Sequence, residues 1–292
     1  MKVTVAKTAG FCFGVRRALQ LTEESAARTP TCTLGELIHN RQVVEQLAGQ
    51  GVAAIERPED APAGMTVVIR SHGVPPQVTA ALQRRGNPIV DATCPFVKRL
   101  HQIAAEVPPN GTLLLAGRRD HPEVQGILGY CRGRAFPFTS AQELAEILEK
   151  EDFSGETPAI LAAQTTFSPA EWEKIIFFAK KVCTNLKVFD TICRATIERQ
   201  QEAQALSQTV DAMIVVGGRH SANTTALAAL CGRSCPTVQV ETAGELPRLR
   251  EALRGARFIG ITAGASTPAC IIKEVQNSMS VLENNTEEMN FG

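Results

Sequence analysis

The chain has no run approaching 18 continuous apolar residues, which excludes a helical membrane span. Its start, Met1-Lys-Val-Thr-Val-Ala-Lys7, lacks the apolar segment of a secretory leader, so a cytoplasmic location is expected. An excess of one charge is also missing: thirty basic residues balance thirty acidic ones. That balance argues against a general nucleic-acid or polyanion surface and leaves room only for a local anion pocket. Aromatic side chains are scarce, with one Trp and one Tyr, so any chemistry must come from Cys, His, Glu, Ser and Thr. No Cys-x2-Cys pair occurs, which removes zinc-ribbon and ordinary ferredoxin patterns. Neither a Walker A loop nor a GxGxxG fingerprint is present. Nine cysteines in 292 residues are too few, and odd in number, for a disulfide scaffold. No long apolar surface helix calls for obligate dimerisation, and a monomer is expected.

What the chain does have is an alternation of short apolar runs and longer amphipathic segments from end to end. Residues 2–6, 31–34, 52–55, 66–70, 88–92, 112–116, 159–163, 186–190, 212–216, 237–240 and 258–262 read as strands. Helical periodicity predicts helices over 15–27, 43–49, 77–85, 97–107, 123–128, 141–148, 169–183, 195–207, 224–230, 243–253 and 270–282. Strands of this kind between helices mean parallel sheets covered on both faces. The natural division is three α/β portions, 14–94, 95–193 and 194–282. The first strand, within 1–13, is expected to join the last portion, and a polar, frayed tail to follow from 283 to 292. One or two larger doubly wound domains would show the same alternation.

Three cysteines mark the lobe boundaries. Cys12 lies in a glycine-flanked turn, while Cys94 and Cys193 close related strings, Asp91-Ala-Thr-Cys94 and Asp190-Thr-Ile-Cys193. A free cysteine is ordinarily a small buried hydrophobe. A thiol at a strand end and helix start, however, meets free amide donors that favour the thiolate. Ligands of open parallel sheets bind beyond the carboxyl ends of strands. Three thiols converging there would form an incomplete shell, such as an iron–sulfur cluster with one iron left open to substrate. Cys231 and Cys235 straddle a turn without further partners, and Cys32, Cys131, Cys183 and Cys270 read as core or surface thiols.

Three of the five histidines, His39, His72 and His121, occupy turn positions, His72 before Gly73 and His121 before Pro122. There they serve either as turn closers or as donors to phosphate oxygens. His101 and His220 have weaker claims. Glu123 opens a helix, where a carboxylate merely suits the dipole; beside a metal group it becomes a candidate proton source. Gln164-Thr165-Thr166 follows a strand and could orient that acid or cap a helix. Val216-Gly217-Gly218-Arg219-His220-Ser221-Ala222-Asn223-Thr224 and Ala263-Gly264-Ala265-Ser266-Thr267-Pro268 each run from strand through small residues into helix. Both are anion-nest arrangements suited to a phosphorylated or diphosphorylated small molecule.

These strings together resemble the 4-hydroxy-3-methylbut-2-enyl diphosphate reductase (LytB-type) family. The matching segments are Ala9–Arg16, Gly35–Asn40, Arg70–Val74, Asp91–Pro95, His121–Val124, Gln164–Thr166, Cys193–Thr196, Ser221–Asn223 and Ala263–Ser266. They keep the family's order over about residues 9 to 270. The resemblance implies a three-lobed α/β protein around one [4Fe–4S] cluster, with Cys12, Cys94 and Cys193 as ligands and one open iron. It implies diphosphate binding by His39, His72, His121, Ser221, Ala222, Asn223 and Ser266. Glu123 matches the proton donor, with Thr165 and Thr166 beside it. Ala222 stands where some relatives carry serine, so only its backbone amide serves. Ile197-Glu198 also departs from the residues often seen before the arginine. The implied activity is the last step of the non-mevalonate isoprenoid pathway, with ferredoxin or flavodoxin as electron donor. An iron–sulfur hydro-lyase and a cluster-based sensor or binding protein are the competing readings.

Overall fold

The computed structural model of the chain describes residues 1–151, 158–183, 185–249, 251–253 and 255–288. In chain order the first elements are β1 (Lys2–Val5), α1 (Phe13–Ala26), β2 (Thr31–Leu34), α2 (Arg41–Gly49), β3 (Ala54–Ile55), β4 (Thr66–Ile69), α3 (Pro76–Arg84) and β5 (Ile89–Asp91). The middle of the chain forms α4 (Pro95–Ala105), β6 (Thr112–Ala116), α5 (Pro122–Tyr130), β7 (Arg134–Phe138), α6 (Ala141–Lys150), β8 (Ala159–Ala163), α7 (Pro169–Val182) and β9 (Leu186–Val188). The last third forms α8 (Arg194–Ser207), β10 (Ala212–Val216), α9 (Ala222–Cys231), β11 (Thr237–Val240), β12 (Phe258–Ala263) and α10 (Ala269–Glu288).

The strands make three four-stranded, wholly parallel sheets, in the orders β1-β12-β10-β11, β3-β2-β4-β5 and β7-β6-β8-β9. Three parallel-sheet α/β lobes are therefore present. By contacts the chain forms two compact units. The first, residues 1–16, 39–45 and 194–292, contains the first sheet; the second, 17–38 and 46–193, contains the other two.

The sheets follow from composition. The central strands β6 (Thr-Leu-Leu-Leu-Ala), β8 (Ala-Ile-Leu-Ala-Ala) and β10 (Ala-Met-Ile-Val-Val) are buried at every position, as strands covered by helices on both faces must be. In the first unit Ile214, Val216, Ile259, Ile261, Val240 and Val275 form one core. In the second, Leu113, Leu115, Ile127 and Ile160 form another and Val67, Ile69 and Leu82 a third. Proline sets the first turn of α4, α5 and α7, while Ser140, Ser168 and Ser221 cap α6, α7 and α9 through their hydroxyls.

Three elements depart from the periodicity. Strand β7 was not expected, because Pro137 lies within it; it is the outermost strand of its sheet, where a missing N–H is tolerated. The helix expected over 243–253 is instead two 3₁₀ segments, Ala243–Leu249 and Glu251–Leu253. Pro247 falls inside the first and removes a helical donor. Arg250, within that expected helix, lies outside the described residues. Helix α10 continues to Glu288, past the point where the tail was expected, and residues 289–292 lie outside the description. No helix among the described residues is long and apolar enough to cross a membrane.

Candidate functional site

In both units the chemistry-bearing residues gather where strands end and helices begin. In the second unit β4 leads to His72, β5 to Cys94, β6 to His121, β8 to Gln164-Thr165-Thr166 and β9 to Cys193. Because every strand is parallel, these loops share the carboxyl edges of their sheets. His121 is the N-cap of α5: its Nδ1 accepts the Glu123 N–H at 3.1 Å. That bond places the ring's donor on Nε2 when the imidazole is neutral. The His72 and His121 rings meet edge to face, with centroids 5.5 Å apart and planes at 84°.

Glu123 is almost completely buried, at 2% exposure. Its carboxyl accepts the Thr165 N–H at 2.7 Å on Oε1 and the Thr165 hydroxyl at 2.9 Å on Oε2. Burial pushes the carboxyl up to about 7, against a smaller lowering by the two Thr165 bonds. A carboxyl so placed carries its proton near neutrality and can give it up. Thr165 is held in turn, its carbonyl accepting the Cys193 N–H at 2.9 Å. Thr166 Oγ1 accepts from Gln164 Nε2 at 3.1 Å. Thus Thr165 touches the acid directly, whereas the Thr166 hydroxyl bonds to Gln164.

The first unit carries the two strand-end turns read from the sequence as anion nests, one after β10 and one after β12. After β10, Gly217 adopts φ +141°, a region closed to side chains bearing a Cβ. Ser221 then caps α9, accepting the Thr224 N–H at 3.4 Å. Asn223, in the first turn, is 6% exposed and its buried Nδ2 has no protein partner. After β12, the turn containing Gly264 is pinned to the first nest, since Gly264 N and Thr267 Oγ1 both donate to Val216 O, at 2.9 and 3.0 Å. A Cβ on Gly264 would lie 2.1 Å from Thr224 Oγ1, so glycine is what lets the two nests touch. Ser266 Oγ donates to His39 O at 3.1 Å, and Cys12 N to Ala265 O at 3.1 Å. The buried Arg199 of α8 spans the same loops, donating to Ala263 O at 2.6 Å and Gly10 O at 2.8 Å. Ala222 is the first residue of α9, where its backbone amide is one of the helix's unsatisfied donors.

The expected [4Fe–4S] cluster on Cys12, Cys94 and Cys193, with one open iron, is corrected by the donor set the structure assembles. Among the described residues, His39, His72 and His121 form the group whose ligand atoms all lie within 4.8 Å of one another. No such group contains a cysteine. The backbone N–H groups of Cys12, Cys94 and Cys193 donate to Ala265 O, Ser71 O and Thr165 O, respectively. The metal-competent donors are therefore imidazoles, which suit borderline divalent ions rather than the all-sulfur environment expected.

Two contributors were not anticipated, Arg199 and Thr191, whereas Thr224 and Thr267 lie within the strings read as anion nests. Their common signal is a polar residue within a turn or two of a strand-end motif. His101, given little weight, is buried on α4 and stacks on Tyr130 with ring centroids 4.3 Å apart. Cys231, the last residue of α9, is buried in a second apolar cluster of the first unit, and Cys32 in one of the second unit.

A buried carboxylic acid backed by a threonine, with small-residue anion nests at parallel strand ends, defines an α/β enzyme that handles a phosphorylated small molecule with proton transfer. The family model described as LytB protein matches residues 3–280, and the chain belongs to that family. A 4-hydroxy-3-methylbut-2-enyl diphosphate reductase of Solidesulfovibrio magneticus is 44% identical over 94% of this chain and 98% of its own length. The one from Caldanaerobacter subterraneus is 40% identical over 98% and 99%. A solved structure of (E)-4-hydroxy-3-methyl-but-2-enyl diphosphate reductase, the terminal enzyme of the non-mevalonate pathway, covers 96% of this chain and 99% of its own at 37% identity, with a TM-score of 0.68. The Plasmodium falciparum reductase structure covers 94% and 87% at 26% identity, with a TM-score of 0.88.

Proposed function

We propose that Glu123, held by Thr165, is the acid of a reductive dehydroxylation. The chain catalyses the terminal reaction of the non-mevalonate pathway, converting 4-hydroxy-3-methylbut-2-enyl diphosphate to isopentenyl and dimethylallyl diphosphates. The C–O bond of the allylic alcohol breaks, two electrons and two protons enter, and the oxygen leaves as water. Hydroxide is a poor leaving group; a proton delivered to the departing oxygen removes that obstacle. The observation that carries this assignment is a fully buried carboxyl pushed up to about 7 and fixed by both donors of one threonine.

Ser221, Ala222, Asn223 and Ser266 receive the diphosphate through hydroxyl, amide and backbone N–H donors, and His39, His72 and His121 supply imidazole donors to its oxygens. The unpartnered Asn223 Nδ2 supports this, since a buried donor without a protein acceptor is costly unless a ligand accepts it. Thr166, next to the threonine that holds the acid, accepts the Gln164 amide N–H on its hydroxyl oxygen. With no nucleotide fingerprint in the sequence, the electrons come from a small redox protein of the ferredoxin or flavodoxin kind.

The test is anaerobic turnover of the diphosphate with and without a low-potential reductant, reading both C5 products. Product that requires reductant, and is lost in Glu123→Gln, supports the reading. Turnover without reductant points to a hydro-lyase, and absence of turnover to a binding protein.

A further inference from the structure

Strand β8 ends at Ala163, two residues before the threonine that holds Glu123. On one side its ladder continues to the sheet's end, with Gln164 N donating to Ala116 O at 2.7 Å. On the other side the regular pairing with β9 stops at Leu161 and Val188, followed by a single bond from Phe189 N to Leu161 O. Ala163 would then be left with both backbone groups open in a dry interior, where it is fully buried. One hydroxyl satisfies both. Thr191 Oγ1 accepts the Ala163 N–H at 2.9 Å and donates to Ala163 O at 2.7 Å. A side chain thus replaces a rung of the sheet at the place where the chain turns away toward Cys193.

We propose that Thr191 is a positioning residue for the acid, acting through the Ala163–Thr165 segment. The connections are continuous. Thr191 fixes Ala163, Cys193 N holds Thr165 O, and Thr165 presents its N–H and hydroxyl to the two carboxyl oxygens of Glu123. All of these residues except Cys193 are buried to 8% exposure or less, so water does not replace a lost bond without a cavity opening. A valine at 191 keeps the shape of threonine and removes the hydroxyl that, among the described residues, satisfies both backbone groups of Ala163. The segment then shifts to find other partners, and the acid loses its alignment. Misplacement of a catalytic group by about 1 Å costs on the order of 100-fold in rate. No group proposed here to touch the diphosphate is altered, so binding is spared.

This proposal rests on Glu123 as the proton donor, and its test separates the two. In full-length protein, Thr191→Val lowers kcat on the order of 10- to 100-fold with KM within about twofold. Thr191→Ser, which restores the hydroxyl, returns kcat to within about threefold. In the Glu123→Gln background, Thr191→Val has no further effect, because residues that act as one unit are not additive. Hydrogen exchange reads the geometry independently of activity: the Thr165 amide loses protection in Thr191→Val while β6 and β10 keep theirs. If the valine variant does not fold, Thr191→Ala, which leaves room for a water, takes its place. Wild-type kcat in the valine or alanine variant overturns the proposal, and so does an equal further loss in the Glu123→Gln background. If Glu123→Gln alone keeps wild-type kcat, the donor assignment fails, and the exchange result by itself decides whether Thr191 holds Thr165.

Discussion

Glu123→Gln should make the protein more stable at neutral pH while disabling it, and the size of the effect follows from the site. The folded carboxyl titrates near 7 against an ordinary value of 4.5, with burial as the main cause. Below 4.5 the acid is neutral in both folded and unfolded chains. Between 4.5 and 7 the unfolded chain has released its proton while the folded one still holds it, so folded stability falls as pH rises through this window. Above 7 both forms are ionised and the cost is constant. At about 1.4 kcal/mol per pH unit, the accumulated loss is about 3 kcal/mol. Glutamine never ionises. It accepts one Thr165 bond and forces the hydroxyl to turn, at about 1 kcal/mol. The variant is therefore slightly weaker than wild type below the window and about 2 kcal/mol stronger above it. Urea titration followed by the single tryptophan, Trp172, reads this directly, because that residue is buried in α7 of the same unit as Glu123. The difference between variant and wild type must change sign with pH. A constant difference at every pH would refute the claim that burial holds the proton on Glu123. Loss of kcat by about 100-fold or more should accompany the gain.

Asn223→Ala removes a buried donor that no protein group accepts; KM for the diphosphate should rise roughly tenfold while thermal stability stays level or improves. Gly264→Ala sets a methyl 2.1 Å from Thr224 Oγ1, and should destabilise by about 1–3 kcal/mol and raise KM, seen together in melting and steady-state kinetics. Burial lowers His101 to about 4, opposed by Asp91 and aided by Lys98. Its neutral form therefore contributes stability above 6.5 that is lost as pH falls toward 4. His101→Phe should remove about 3 kcal/mol of this acid sensitivity in denaturant titrations across that interval.

Much of this was legible in the chain because parallel α/β folding writes itself into the sequence. Continuous apolar runs such as Leu113–Ala116 announced central strands, and glycine or proline after them announced the loops at the strand ends. The exceptions have physical causes. Strand β7 was hidden because Pro137 is permitted only at an edge, and edge status is a tertiary fact. The 243–253 helix failed because periodicity outweighed Pro247. The three cysteines were read as converging because each sits at a strand end, but a strand end fixes only a sheet edge. Distances between loops belong to packing, which a strand pattern does not carry, and the candidate metal-binding group among the described residues consists of histidines. Thr191 escaped notice because a threonine that substitutes for a strand rung looks like any other turn residue.

The pairing of β1 with β12 ties Lys2–Val5 to Phe258–Ile261, and this dictates an order of assembly during synthesis. Residues 17–193 contain all of the second unit before the chain reaches α8. The first unit, by contrast, holds its opening strand in reserve until β12 emerges some 250 residues later. Cys12, His39 and Arg199 are all translated before the Ala263–Ser266 loop they contact exists. A chain halted before β12 therefore lacks both the strand that β1 pairs with and the Ala263–Ser266 turn that Cys12, His39 and Arg199 contact.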